Sequence, residues 1–550
     1  MGVASRSHSR ESGNDWRFER ETVPDDTNTR CKGGPGNRVL GITRMSRLVK
    51  NTLYNLAGQG TLMVLGFLAV KYIFRQLGED ALGIIYFALT ASTVLSSMLE
   101  MGIGSTAVRE ISRYATNEPA YIVDLIRTGS FFFWSIYAFF TLALVLGAPA
   151  IAHHWIKLRT LEPETAIRVL RVIGVASLLA FPRTFYVSIL RGLQRMEFNN
   201  VIDVATSGLQ QFGTIAILLL GGGLMQVAHW MAVCFFAGIA AYALICSRFF
   251  PGRALVPAFS LPVVKRNFKF TSNMAVTSLL SVVESQADKA LVSKLMPIGM
   301  FGYYGIAYAG ASKGQMVTTS ISQAALPSLC ELHGAGNRNA LLSQYAKLHD
   351  LLCFVTVPMF GAIPFAALPL FTFVLNAQAA RLLLLPVTFL CLGFYLNATL
   401  NAPYILALAV GRPDIPARFN VYALFVVLPA AALLVYSFGL AGAAFSWVVY
   451  NLLSYAYVIP RVCAECGLRI SPLRWYAHVF RFLGPAAIIY GSAWAICRTA
   501  GHGSIWALTL GYGLASTLYV LGSFMMIGRE LRGTLWGLLR NFRAKYAEVF

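Results

Sequence analysis

Between Phe270 and Ala311 the chain carries Glu284, Asp288, Lys289 and Lys294 inside a run otherwise as apolar as a membrane-spanning helix. Glu284 and Asp288 are four residues apart, so they share a helical face, and at helical rise they stand about 20 to 27 Å from the start of the run. Two carboxylates that close in a partly dry cavity repel each other, so one of them can hold a proton. This is the chemistry of ion coupling rather than of bond making. Lys289, one position round the helix, supports the competing reading of a static ion pair, for which Lys71 and Arg183 are further candidates.

Charge recurs in other apolar stretches. Arg183 follows Pro182 and lies nine residues before Gly192, about 14 Å into its helix. That depth resists snorkelling, and the proline frees a backbone carbonyl and bends the helix, a device common near transport sites. Arg183 therefore either lines a path for an anion or caps freed carbonyls and pairs with a carboxylate inside one lobe. Lys71 and Arg75 share a face near one end of the first span, as snorkelling anchors or as a vestibule for phosphate and carboxylate groups. Glu100 and Lys313 sit in equivalent spans and form a gate if they meet across the midline. Asn397, Asn401 and Tyr404 follow helical spacing, as sugar contacts or as interhelical hydrogen-bonding glue.

The elements that must position these residues follow from composition. Of 550 residues 57% are hydrophobic and only 13% charged, and the mean hydropathy is +0.61. This is a polytopic membrane protein, not a soluble enzyme. The net charge of +21 gathers in the gaps between apolar runs, which excludes nucleic-acid binding and suits cytoplasmic loops. The nine cysteines are scattered, mostly in apolar runs; Cys463 and Cys466 form a lone CxxC without a second pair or nearby histidine, so no metal site is expected. His153 and His154 have no catalytic setting. No phosphate-binding Gly loop, nucleophile elbow or zinc signature occurs, so the chain does not hydrolyse ATP on its own account.

Fourteen spans are expected, at 51–74, 82–106, 127–152, 167–190, 201–221, 224–246, 270–294, 299–325, 350–374, 382–409, 417–437, 440–460, 479–498 and 504–527. Alternate loops are rich in Lys and Arg, which puts that side and both termini in the cytoplasm. Residues 1–44, with Met45 as a possible true start, are too polar to order themselves. The tail places Leu531, Leu535, Leu538, Phe542 and Tyr546 at helical spacing among basic residues, as an amphipathic surface helix or a solvated extension.

The chain also repeats itself at an offset of 219. GIIYFA from Gly83 falls on GYYGIA from Gly302, the loop at Asn117 and Ala120 falls on that at Gly336 and Asn339, and Gly192 falls on Gly411. Six spans per repeat make the copies parallel, with a site expected between them. The expected division is a cytosolic tail at 1–45, an N-lobe at 46–264, a C-lobe at 265–474, an added helix pair at 475–528 and a basic tail at 529–550.

NTLYNLAGQG, GIIYFA, GYYGIAYA, LRGLQRMEFNN and the fourteen-span plan resemble Wzx-type polysaccharide-transporter flippases of the MOP superfamily, which also holds lipid II flippases and MATE drug exporters. The resemblance covers roughly 45–528. It implies an all-α, MATE-like protein of a bacterial inner membrane, not an enzyme, that moves a polyprenyl-pyrophosphate-linked oligosaccharide to the periplasmic leaflet by alternating access. Implied partners are that substrate, membrane lipids, a coupling proton or sodium ion, and polysaccharide polymerase and assembly proteins; no cofactor is implied. The competing functions are a lipid II or multidrug exporter of the same architecture, disfavoured for drugs by the abundance of cations, and a membrane glycosyltransferase or polymerase, which needs a long outer loop that is absent.

Overall fold

A run of about twenty apolar residues in lipid has one way to satisfy its own backbone, the α-helix. The computed structural model describes residues 36–115, 117–468, 470–500, 504–528, 531–533 and 536–537, with side chains from Gly60 except at 98–101, 270, 273–278, 280, 281, 284, 500 and 505. Residues up to Gln59 form one unit, helical from Gly36, and the remainder forms a second, which holds the helical bundle. Residues 1–35 and Leu535, Leu538, Phe542 and Tyr546 of the expected tail helix lie outside the described residues.

The elements in order are α1 (Gly36–Leu99), a π-helical turn (Glu100–Gly104), α2 (Ser105–Tyr114), α3 (Pro119–Ala150), a second π-helical turn (Ile151–Trp155), α4 (Pro163–Ser177), α5 (Ala180–Gly192), α6 (Met196–Leu219), α7 (Leu224–Phe249), α8 (Gly252–Leu255), α9 (Leu261–Leu295), α10 (Ile298–Gly334), α11 (Arg338–Val374), α12 (Ala377–Ala409), α13 (Asp414–Glu465), α14 (Pro472–Ala500) and α15 (Ile505–Phe524). Among the described residues there is no strand beyond one bridge between Lys157 and Pro297. Every one of the fourteen expected stretches falls on helix, apart from up to three residues at ends and the break at Leu178 and Leu179. Among the described residues ten helices are long and apolar enough to cross a membrane. Two of these, α1 and α13, contain a reversal that only glycine takes without strain, at Gly78 (φ 85°) and Gly439 (φ 57°).

The 219-residue offset recurs in the helix boundaries. Pro119 opens α3 and Arg338 opens α11, 219 apart; Met196 opens α6 and Asp414 opens α13, within one residue of the same offset. The bundle accordingly has two ends. One, with the turns near Asn117, Gln194, Gly336 and Gly411, carries most of the arginines and is called the basic end; the other, with the turns near Gly78, Gly221, Pro297 and Gly439, is the far end.

The apolar packing differs between these ends. One core runs from Val70 through Ile298 to Leu531 and joins both halves across the far end. The first half has a second core around Ile111, Ile126, Phe185 and Tyr242 toward the basic end, to which no described residue after Val263 belongs. Among the described residues the halves are thus fused at the far end and separately packed at the basic end, where the start of α9 is shared.

Candidate functional site

The fusion at the far end is built on glycine. Gly83 in α1 and Gly302 in α10 meet so closely that a Cβ on Gly83 would lie 2.1 Å from the Ile298 carbonyl oxygen, and one on Gly302 would lie 3.0 Å from Gly83 Cα. Small residues let two helix backbones approach in this way. Gly299 and Gly305 of the same helix face Glu79 and the Tyr86 ring. Around this contact, Tyr303 Oη donates to Glu79 Oε2 (2.9 Å), Trp155 Nε1 to Ser293 Oγ (3.1 Å), Lys157 Nζ to the Leu295 carbonyl (2.9 Å) and the Ile298 amide to the Lys157 carbonyl (3.0 Å). Lys294, expected at this end, donates to the His154 carbonyl (2.6 Å) and stands 5.0 Å from the Trp155 ring. The loop that carries Lys157 is clasped by buried Asp80, whose Oδ2 accepts the amides of Arg159, Thr160 and Leu161 at 2.7, 2.7 and 3.1 Å.

Beside this seam lies a cavity of about 1030 Å³ lined from both halves, with Arg75, Arg159 and Arg381 on its wall together with Glu79 and Tyr303. Arg75 therefore lines a cavity that two further arginines also border. Lys71, one turn deeper, stands 3.3 Å from the Phe373 ring of α11.

Arg183 is paired inside the first half. Its Nη2 lies 2.5 Å from Asp203 Oδ1, Tyr242 Oη donates to the same oxygen at 2.7 Å, and the guanidinium is 5.7 Å from the Tyr242 ring. The three side chains come from α5, α6 and α7. With 35% and 45% of the Arg183 and Asp203 side chains exposed, the pair borders open space rather than filling the core.

The second half has its own cation–carboxylate–tyrosine cluster. Tyr304 Oη donates to Asp288 Oδ2 at 2.5 Å; Lys289 Nζ lies 3.5 Å from Asp288 Oδ1, donates to the Ser285 carbonyl and stands 3.5 Å from the Tyr308 ring. Here the static ion pair is what is formed. The side chains of Glu284 and Glu100 lie outside those described, and Lys313 is exposed. Asn397 acts as glue, accepting from Gln315 (2.9 Å) and donating to Asn451 (3.1 Å), so that α10, α12 and α13 are tied together. Asn401 Nδ2 is buried with no partner among the described residues. Tyr404 is exposed.

At the basic end, α9 is held to the first half. Arg266 pairs with Glu118 (2.8 Å) and packs on Tyr121 (3.9 Å to the ring). Asn267 donates to Tyr121 Oη (2.9 Å) and accepts from Arg109 (3.1 Å), and Thr106 meets Thr271 (2.8 Å). The hydrogen bond from Arg266 holds the Glu118 carboxyl below its ordinary value. One group in the described residues could hold a metal, His349, Cys353 and His478, whose ligand atoms lie within 4.8 Å of one another.

This architecture has counterparts among known proteins. The model of a family described as polysaccharide biosynthesis protein matches residues 48–333. The chain belongs to the polysaccharide biosynthesis protein family. A Shigella flexneri protein provisionally described as an O-antigen transporter is 21% identical over 423 residues, covering 76% of this chain and 99% of the relative. Among solved structures, lipid II flippase MurJ in an inward closed conformation matches with TM-score 0.66 at 12% identity, over 86% of this chain and all of that one. An inward-facing multidrug resistance MATE transporter matches with TM-score 0.61 at 13% identity, over 74% and 96%. The chain shares its fold with these two transporters.

For a member of the polysaccharide biosynthesis protein family, the residues that sequence reasoning missed are mostly partners. Asp203 and Glu197 are the only acids in α6, and Asp203 lies past the first turn, so its intramembrane charge was a readable signal. Tyr242, Tyr304 and the Arg266–Glu118 pair had none, because each depends on which helices become neighbours.

Proposed function

We propose that this protein is a flippase that carries a polyprenyl-pyrophosphate-linked oligosaccharide from the cytoplasmic to the periplasmic leaflet of a bacterial inner membrane, for surface polysaccharide synthesis. The basic end faces the cytoplasm, with both termini there and fourteen crossings. The observation that carries the reading is the seam: in a chain of this family, two repeats fused at the far end by glycine contact and a few hydrogen bonds, with the first half separately packed at the other.

Each hydrogen bond of the seam contributes about 1 kcal/mol net, so the set can open and close in a transport cycle. In the state described here the periplasmic side is shut, and the head group enters from the cytoplasm between the halves. Its hydroxyls need polar partners and its diphosphate needs cations, whereas the lipid tail stays in the bilayer. Arg183, half exposed beside Asp203, is offered to the anion on entry, and Arg75, Arg159 and Arg381 receive it once the seam parts. Asn401 and Tyr404 remain available to the sugars, and Asp288 with Lys289 and Glu284 to a coupling ion. The Arg266–Glu118 contact ties α9 to the first half at the cytoplasmic end and, in place of Glu100 with Lys313, is the link whose breaking widens the entry. Membrane potential, negative inside, favours outward movement of an anion by about 2.3 kcal/mol per charge per 100 mV.

The test is to delete the gene in its host and follow the lipid-linked oligosaccharide by its accessibility to a periplasmic enzyme that modifies it. Loss of access with accumulation of intact lipid-linked sugar, restored by the wild-type chain, is expected. Unchanged arrival at the outer leaflet would sink the proposal.

A further inference from the structure

His349 and Cys353 are one turn apart on α11, and His478 reaches them from α14. His349 is 95% buried, and its Nε2 has no hydrogen-bond partner among the described residues. Its ring stacks on Trp475 (4.8 Å between centroids) and on Tyr345 (5.9 Å), and Trp475 Nε1 donates to Tyr345 Oη (2.9 Å), which fixes both neighbours. A buried imidazole nitrogen left unpaired in so ordered a setting requires a reason, since buried polar atoms are almost always satisfied.

We propose that His349, Cys353 and His478 bind one divalent transition-metal ion of the zinc class, which staples α14 to α11. Two imidazoles and a thiolate are the donor set that such an ion prefers, and tetrahedral ligation draws the ligand atoms to about 3.4 Å apart, roughly 1.4 Å closer than their present limit of 4.8 Å. Further support is the carboxylate behind the site. Asp350 Oδ1 lies 2.7 Å from His478 Nε2, and Asp350 Oδ2 accepts the Gly528 amide at 2.9 Å. In a carboxylate–imidazole–metal arrangement Asp350 holds one nitrogen of His478 and the ion takes the other, which orients the ring and raises its basicity. The charges balance: a dication meets one thiolate and one carboxylate, and ligation releases the Cys353 thiol proton. An adjoining cavity of about 340 Å³ gives entry and room for a water as fourth ligand. Arg474 lines the same cavity but is exposed, so its charge is screened by solvent.

The experiment uses the full chain in detergent or nanodiscs. After chelation, titration with Co²⁺ should saturate at about one ion per chain, giving a thiolate-to-cobalt charge-transfer band and tetrahedral ligand-field bands. Cys353→Ser should abolish the charge-transfer band and Asp350→Asn should weaken affinity about 10- to 100-fold, whereas Cys463→Ser should change neither. Zn²⁺ should raise the unfolding temperature of the wild type and not of His349→Phe, which keeps the stacking. The site is refuted if the wild-type protein takes up no Co²⁺ with a thiolate band, a result that needs no variant to fold. It is equally refuted if that band survives Cys353→Ser or disappears with Cys463→Ser.

Discussion

Replacing Gly83 by alanine should unlatch the far end. The new methyl would sit 2.1 Å from the Ile298 carbonyl oxygen, against the 3.4 Å of ordinary contact, so α1 and α10 must part by about 1.3 Å. The blocking atom is backbone, which cannot rotate away. Overpacking of this kind costs about 1 to 3 kcal/mol, and because the strain exists only while the seam is closed, that energy appears as a shift of roughly 5- to 150-fold toward the open seam. Hydrogen exchange reads the shift directly. The Ile298 amide, bonded to the Lys157 carbonyl across the seam, should exchange faster by that factor. Gly302→Ala, whose Cβ meets Gly83 Cα at the milder distance of 3.0 Å, should have a smaller effect, and Gly310→Ala, with nothing within 4 Å, should have none. If folded Gly83→Ala protein keeps wild-type protection at this amide, or if Gly310→Ala loses it equally, the seam is not held by glycine contact.

Three other outcomes follow from the same geometry. Arg183→Ala and Asp203→Ala should be non-additive in thermal unfolding, with a coupling of about 1 kcal/mol given their partial exposure; strict additivity would show the pair to be idle. Asp80→Ala removes the acceptor of three amides and should speed exchange at 159–161 roughly 10- to 150-fold, as expected for about 1.5 to 3 kcal/mol of charge-assisted bonding. Since Arg266 holds the Glu118 carboxyl below its ordinary 4.5, their link is intact above that pH and lost as pH falls through the lowered value. Protection at the start of α9 should therefore drop on acidification, and a Glu118→Gln protein that drops identically would disprove the link.

Sequence revealed the helices because lipid leaves no alternative for the backbone, and it revealed the repeat because Gly83, Gly192 and their counterparts occupy positions that tolerate little else. The repeat offset sets Lys294 against Arg75, and both lie at the far end. What sequence could not supply was neighbourhood. Arg183 meets Asp203 on the next helix, the Lys157–Ile298 bond closes over 140 residues, and His478 joins His349 from far along the chain. Periodicity fixes the face a side chain occupies on its own helix but says nothing about which helix faces it, and the pairing of charges is decided there. Glu284 with Asp288 illustrates this: the shared face was legible, yet the partners of Asp288 are Tyr304 and Lys289.

One contact of the seam marks the place about which the two halves are related. Residues 83 and 302 stand at the same position under the 219-residue offset, and so do 86 and 305, where the Tyr86 ring occupies the space beside Gly305. A position touches its own counterpart only on the axis that relates the copies, so the seam lies on that axis. At 83 and 302 glycine serves both sides alike. One turn on, a tyrosine has no room against an identical tyrosine, and the two sides differ: the ring of Tyr86 is accommodated by the missing side chain of Gly305.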